Sequence, residues 1–181
     1  MEEMYMAVYE FEGNRPEISN LAYIHPSASI IGNVIIGDQC FIGPGAVIRA
    51  DYGKVCLGSG CAIEDNCIIH AEPDTIVLME NDIIIGHGAI VHGPCLIKNN
   101  SIIGMGSIIS TGCEIGAYGF VAAGSLLLQG QHIPARTMVA GNPATPKKEV
   151  DEKLLFYCEK APALYRQLSE RYLKGIKLLT P

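Results

Sequence analysis

The sequence predicts an all-β fold: a parallel β-helix of triangular cross-section, finished by one α-helix. Three observations predict it. Aliphatic residues recur every six positions along most of the chain. A small residue follows four places after nearly all of them. Near residue 147 the spacing changes to that of an amphipathic helix.

The count opens with Ile24, Ile30, Ile36, Ile42 and Ile48. Three extra residues intervene before Leu57, Ile63 and Ile69, and four more before Met79. From Met79 it runs unbroken through Ile85, Val91, Ile97, Ile103, Ile109, Ile115, Val121, Leu127 and Ile133 to Val139. A helix turning every 3.6 residues cannot hold such positions on one side, whereas short extended segments joined by tight turns can. Three segments make an 18-residue coil, with the aliphatic residue pointing into the prism and the small one packed behind it near the corner. Stacked coils pair as parallel strands at about 4.8 Å. Five of the seven cysteines, Cys40, Cys61, Cys67, Cys95 and Cys113, take the small position. They are expected to pack as small hydrophobes, and no C-x-x-C pair favours a thiolate metal site.

The β-helix, with a short lead-in, is expected to span residues 1–146, and a helical segment packing on it residues 147–181. In that segment Leu154, Leu155, Cys158, Ala161, Leu164, Tyr165, Leu168 and Tyr172 fall at helical spacing. Pro162 is expected to break or kink the helix.

The chain has 181 residues, 49% of them hydrophobic and 18% charged, with a net charge of −6. That balance argues against a nucleic acid or an anionic membrane as partner. The opening "MEEMYMAVYEFEG" is acidic and lacks the apolar core of a signal peptide, and no run is long enough to span a bilayer. A soluble cytoplasmic protein is expected.

The period also works as a ruler for polar residues. His70 follows Ile69, and His92 follows Val91. These aliphatic positions are one coil plus the four-residue insertion apart, so the two imidazoles are expected to stack and face outward. Arg49 follows Ile48, one coil plus the three-residue insertion earlier, and joins the same column. His87 falls on the preceding segment, roughly 15 Å from His92 along extended chain. One prism cannot easily bring all three rings to one ion, but a second copy around a threefold axis can. Three neutral imidazoles with an open position suit a catalytic zinc ion, whose bound water is acidic near neutral pH. The alternative is that these are ordinary packing or exposed histidines, which is the expectation for His25 and His132.

"IRADYGKV", "IEDNCIIHAEPD" and "IGHGAIVHG" resemble the three signature segments of the γ-class carbonic anhydrases, hexapeptide-repeat proteins. The likeness extends over nearly the whole chain and is greatest to short bacterial members of the carbonic anhydrase-like, phenylacetate-operon and carnitine-operon type. It implies a left-handed β-helix and a homotrimer with metal sites between subunits, His70 and His92 coming from one copy and His87 from the next. It implies zinc, with Fe2+ or Co2+ also compatible with imidazole ligands. Arg49 and Asp51 match an interface pair that would fix the trimer register and place a positive charge near bicarbonate; a purely geometric role is equally open. Asp65 matches a pocket carboxylate that would orient water or a ligand histidine. Glu64 stands where the family usually has a glutamine that hydrogen-bonds the zinc-bound oxygen; a carboxylate there can accept from bound water but repels bicarbonate, and either relays a proton or reduces activity. The acidic proton-shuttle loop is missing: Tyr52 and Pro73 stand near its positions, and Glu72 is either a substitute for it or, the favoured reading, a solvated loop carboxylate. Tyr165 falls where relatives carry a tyrosine near the metal, or belongs to the packing stripe of the helix.

The function implied is reversible hydration of CO2 to bicarbonate. The alternatives are acyl transfer from acetyl-CoA, with one histidine as general base, and a metal-binding homologue with little turnover.

Overall fold

A computed structural model describes residues 7–179 of the protein; residues 1–6 of the expected lead-in and 180–181 of the expected helical segment lie outside the described residues. The chain winds into a left-handed parallel β-solenoid of about seven coils, with a single helix, α1 (Glu152–Gly175), laid along one side.

The prism has three faces. The strands Tyr23–Ile24, Phe41–Ile42, Ala62–Ile63, Ile84–Ile85, Ile102–Ile103 and Phe120–Val121 stack in that order beneath α1. The next face, called here the histidine face, stacks Ile68–His70, Ile90–His92, Ile108–Ile109 and Leu126–Leu127. The third, open face stacks Ile76–Met79, Cys95–Ile97, Cys113–Ile115 and His132–Ile133. Two long strands, Ser29–Ile36 and Val47–Leu57, run through the corner between the last two faces.

The predicted register holds. Ile48 pairs with Ile69, Ile69 with Val91, Val91 with Ile109, and Ile109 with Leu127, each fully buried. Every such side chain removed from water contributes roughly 1.5–3 kcal/mol. The small position is occupied as expected, and it also carries a hydrogen bond. Cys40 Sγ donates to Gly58 O at 3.0 Å, Cys61 Sγ to Glu80 O at 3.1 Å and Cys113 Sγ to Leu128 O at 3.2 Å. Ser101 Oγ and Ser107 Oγ make the same bond to Gly116 O and Ala122 O, both at 3.0 Å. Cysteine and serine are therefore interchangeable there in shape and in partner.

Helix α1 begins at Asp151, whose Oδ1 accepts from Leu154 N at 3.0 Å as an N-cap. Its stripe Cys158, Ala161, Tyr165, Leu168 and Tyr172 covers Tyr23, Phe41, Ala62, Ile84 and Ile102. Ser169 Oγ donates to Cys40 O at 3.0 Å and accepts from Tyr23 N at 3.2 Å, while Arg166 pairs with Asp82. The structure departs from expectation twice here. The helix runs unbroken through Pro162. Apolar contacts on both sides of the proline seat the two halves on one face and outweigh the hydrogen bond lost at the ring. Residues 147–149 are not helical: Ala144–Glu149 forms a strand antiparallel to Thr137–Gly141. Only Ala144 of that strand is buried, so it carries no alternation to read.

Candidate active site

Arg49, His70 and His92 form the expected column: Arg49 pairs with His70 and His70 with His92 across adjacent strands. The rings lie 5.3 Å apart, and His70 Nδ1 faces His92 Nε2 at 3.4 Å. The column stands at the corner where both insertions leave the coil. The first insertion carries Asp51. Its Oδ2 accepts from Arg49 Nη1 at 2.5 Å, and its Oδ1 lies 3.1 Å from His70 Nε2. Burial alone would raise the Asp51 carboxyl; the hydrogen bonds from Arg49 and His70 outweigh it and hold the group below its ordinary range. Arg49 and Asp51 thus meet within one chain. The second insertion carries Glu72, whose Oε1 lies 3.5 Å from His92 Nδ1. It is turned toward the column, not simply into solvent as its loop position suggested.

His87 stands apart from this column, at the turn between the helix-covered and histidine faces. Its Nε2 lies 3.0 Å from Glu64 Oε2, and its Nδ1 accepts from Asp65 N at 3.3 Å. Asp65 Oδ2 is 3.4 Å from the same Nδ1. Glu64 is buried, and its Oε2 also accepts from His87 N at 3.0 Å. Tyr165 reaches the site from α1. Burial, then a hydrogen bond to Glu64, push its hydroxyl far above the usual tyrosine range. The same ring packs on Phe41 at 5.4 Å, so Tyr165 belongs both to the stripe and to the site. Glu64, His87 and Tyr165 line a groove of about 330 Å³ together with Ile102, Phe120 and Tyr157. The sequence pattern did not single out Tyr157, which immediately precedes Cys158 of the stripe and is half exposed.

Among the described residues, no three potential ligands converge within a single chain. His25 instead bonds Ser27 Oγ at 2.8 Å, and His132 lies exposed 3.4 Å from Glu114.

Comparison with known proteins places this geometry in context. A family profile described as "Bacterial transferase hexapeptide (six repeats)" matches residues 15–50. The carnitine operon protein CaiE of Proteus sp. is 38% identical over 176 residues, covering 97% of this chain and 89% of that protein. The chain belongs to the hexapeptide-repeat family. CaiE of Salmonella typhi is 37% identical over a similar span, covering 97% of this chain and 88% of its own. Among solved structures, a hexapeptide transferase family protein from Anaplasma phagocytophilum superposes with a TM-score of 0.87 at 34% identity, covering 92% of this chain and 98% of that one. A Bacillus cereus protein provisionally assigned as an acetyltransferase gives a TM-score of 0.89 at 34% identity, covering 91% and 95%. The likeness to those relatives spans nearly the whole of this hexapeptide-repeat protein. No helix among its described residues is long and apolar enough to cross a membrane.

Proposed function

We propose that this hexapeptide-repeat protein catalyses metal-dependent reversible hydration of CO2 at the junctions of a homotrimer. One observation carries the reading: two stacked imidazoles present ring nitrogens to each other at 3.4 Å. Two nitrogens bound tetrahedrally at ~2.05 Å to one ion stand about 3.3 Å apart, so the pair fits a shared divalent cation of the zinc class. His70 and His92 would supply two ligands and His87 of a second copy the third. Such a cation supplies a water acidified to near neutral pH.

The chain's own residues support the remaining work. Arg49 sits in the column with a half-exposed guanidinium, placed to attract bicarbonate. Glu64, which lines the groove beside Tyr165, and Asp65 present carboxylates that accept a proton from water at the His87 end. Glu64 opposes an anion bound close to it, so weaker binding and slower uptake of bicarbonate are expected than with a neutral amide. His87 is half exposed, so turning its ring from Glu64 frees a nitrogen for a neighbouring copy. Hexapeptide-repeat proteins typically form trimers.

Metal analysis, solution mass and CO2 hydration, measured together, test the reading. The expected result is a trimer with about one divalent cation per chain, and a His92→Ala variant that keeps its mass but loses cation and hydration. Hydration that survives in His92→Ala would refute it.

A second reading, acyl transfer from acetyl-CoA, is favoured by the His87–Glu64 contact, the arrangement of a base backed by a carboxylate. The apolar groove beside it, larger than a three-atom substrate needs, also favours this reading. Saturable acetyl-CoA binding by metal-stripped protein would select it. Bound metal with undetectable turnover would select a third, the metal-binding homologue.

A further inference from the structure

We propose that Asp51 and Glu72 are positioning residues that fix which nitrogen each stacked histidine offers to the shared ion. From Ile24 to Val139 the six-residue count is broken only twice, by three residues before Leu57 and by four before Met79. Both insertions leave the prism at the same corner, and each delivers one carboxylate to a histidine one coil further on. Asp51 Oδ1 meets His70 Nε2 at 3.1 Å, a hydrogen-bond distance, and Glu72 Oε1 lies 3.5 Å from His92 Nδ1, an ion-pair contact. The two insertions are packed together: a side chain at Gly53 would collide with the carbonyl oxygens of Glu72 and Thr75.

The consequence follows from hydrogen-bond chemistry. An ionised carboxylate only accepts, so the ring nitrogen facing it carries the hydrogen and the opposite nitrogen keeps its lone pair. His70 is thereby left to offer Nδ1, and His92 to offer Nε2. Those are the two atoms that face each other at 3.4 Å. A carboxylate behind a ligand histidine fixes its tautomer and orientation, and losing such a partner typically weakens metal binding 10–100-fold. Arg49, bound to the second oxygen of Asp51, keeps that carboxylate turned toward His70. The inference rests on reading His70 and His92 as ligands, but the tautomer it assigns can be observed without metal.

Two measurements test it. In metal-free protein labelled with 15N-histidine, long-range 1H–15N spectra are expected to show His70 protonated at Nε2 and His92 at Nδ1. In Glu72→Ala, His92 is expected to revert toward the Nε2-protonated form. Cobalt(II) titration against a competing chelator is expected to give 10–100-fold weaker binding for Glu72→Ala and altered visible bands, with trimer mass and metal-free unfolding unchanged. Glu72→Gln, which keeps an acceptor oxygen at the same reach, is expected to recover most of the affinity. Asp51→Ala should show the corresponding loss at His70. Wild-type tautomers opposite to those assigned, or cobalt binding unchanged in Glu72→Ala, overturn the proposal while leaving the metal reading intact. Wild-type protein that takes up no cobalt overturns both.

Discussion

At Cys67 the requirements of the repeat can be followed atom by atom. The thiol is fully buried and donates to Gly86 O at 3.1 Å. Burial pushes its pKa from 9.0 up to about 11, and that of Cys95 up to about 12. In the unfolded chain these protons leave near 9.0, whereas the folded chain still holds them. Their protonation therefore supports folding below pH 9.0 and is lost as a stabilising factor while pH climbs from there toward 11 and 12. Replacing Cys67 with serine is expected to flatten that alkaline decline and to change neutral-pH stability by about 1 kcal/mol or less, since Ser101 and Ser107 already make the same bond. Urea unfolding at neutral and alkaline pH checks both. The place of Cys67 was legible because the period demands something small there. The partner of Glu72 was not: an insertion has no period, and its path is set by the neighbouring insertion against which it packs. The Arg49–His70–His92 column was legible for the opposite reason, since every member is counted from a buried aliphatic neighbour.

Helix α1 shows how an element can be legible in outline and not in its ends. Its stripe was visible because its apolar residues must meet the aromatic ring cluster on the prism. Phe41 is the centre of that cluster, 5.4 Å from each of Tyr23, Tyr165 and Tyr172. Truncating it to alanine is expected to cost about 3–5 kcal/mol. It should also loosen α1, giving faster proteolysis within the helix and freeing the Tyr165 ring that packs on Phe41. A Phe41→Ala variant whose helix resists protease as well as the parent would contradict that account. The strand Ala144–Glu149 stayed invisible because its position depends on pairing alone: it adds to Thr137–Gly141 through backbone bonds and buries almost no side chain. The continuity of α1 through Pro162 was hidden likewise, because local propensity argues for a break and only the docked face overrides it.

For the whole molecule, the three faces differ in what they leave uncovered. α1 covers one. The histidine face presents Ile68 and Ile108, each more than two-fifths exposed, in the strands beside the His70–His92 column. Under the trimer reading, three such faces form an inner triangle about the axis, bringing His87 at one corner to the histidine column at the neighbour's other corner. Ile68→Lys is then expected to shift the solution mass from trimer to monomer and to abolish metal uptake together. Leu78→Lys, on the open face, should leave both unchanged. An Ile68→Lys trimer with full metal content would place the contact elsewhere. The antiparallel strand at the end of the solenoid bears on this architecture in another way. Parallel coils template one another, and nothing in a six-residue rhythm says where to stop; a bare last coil could seed an endless fibre. On the helix-covered side the final rung runs in the reverse direction and carries Pro146, Lys147 and Lys148 outward. A coil from another molecule finds there neither the right polarity nor an apolar surface, so the strand that hid from the pattern is what gives this side of the protein a finite length.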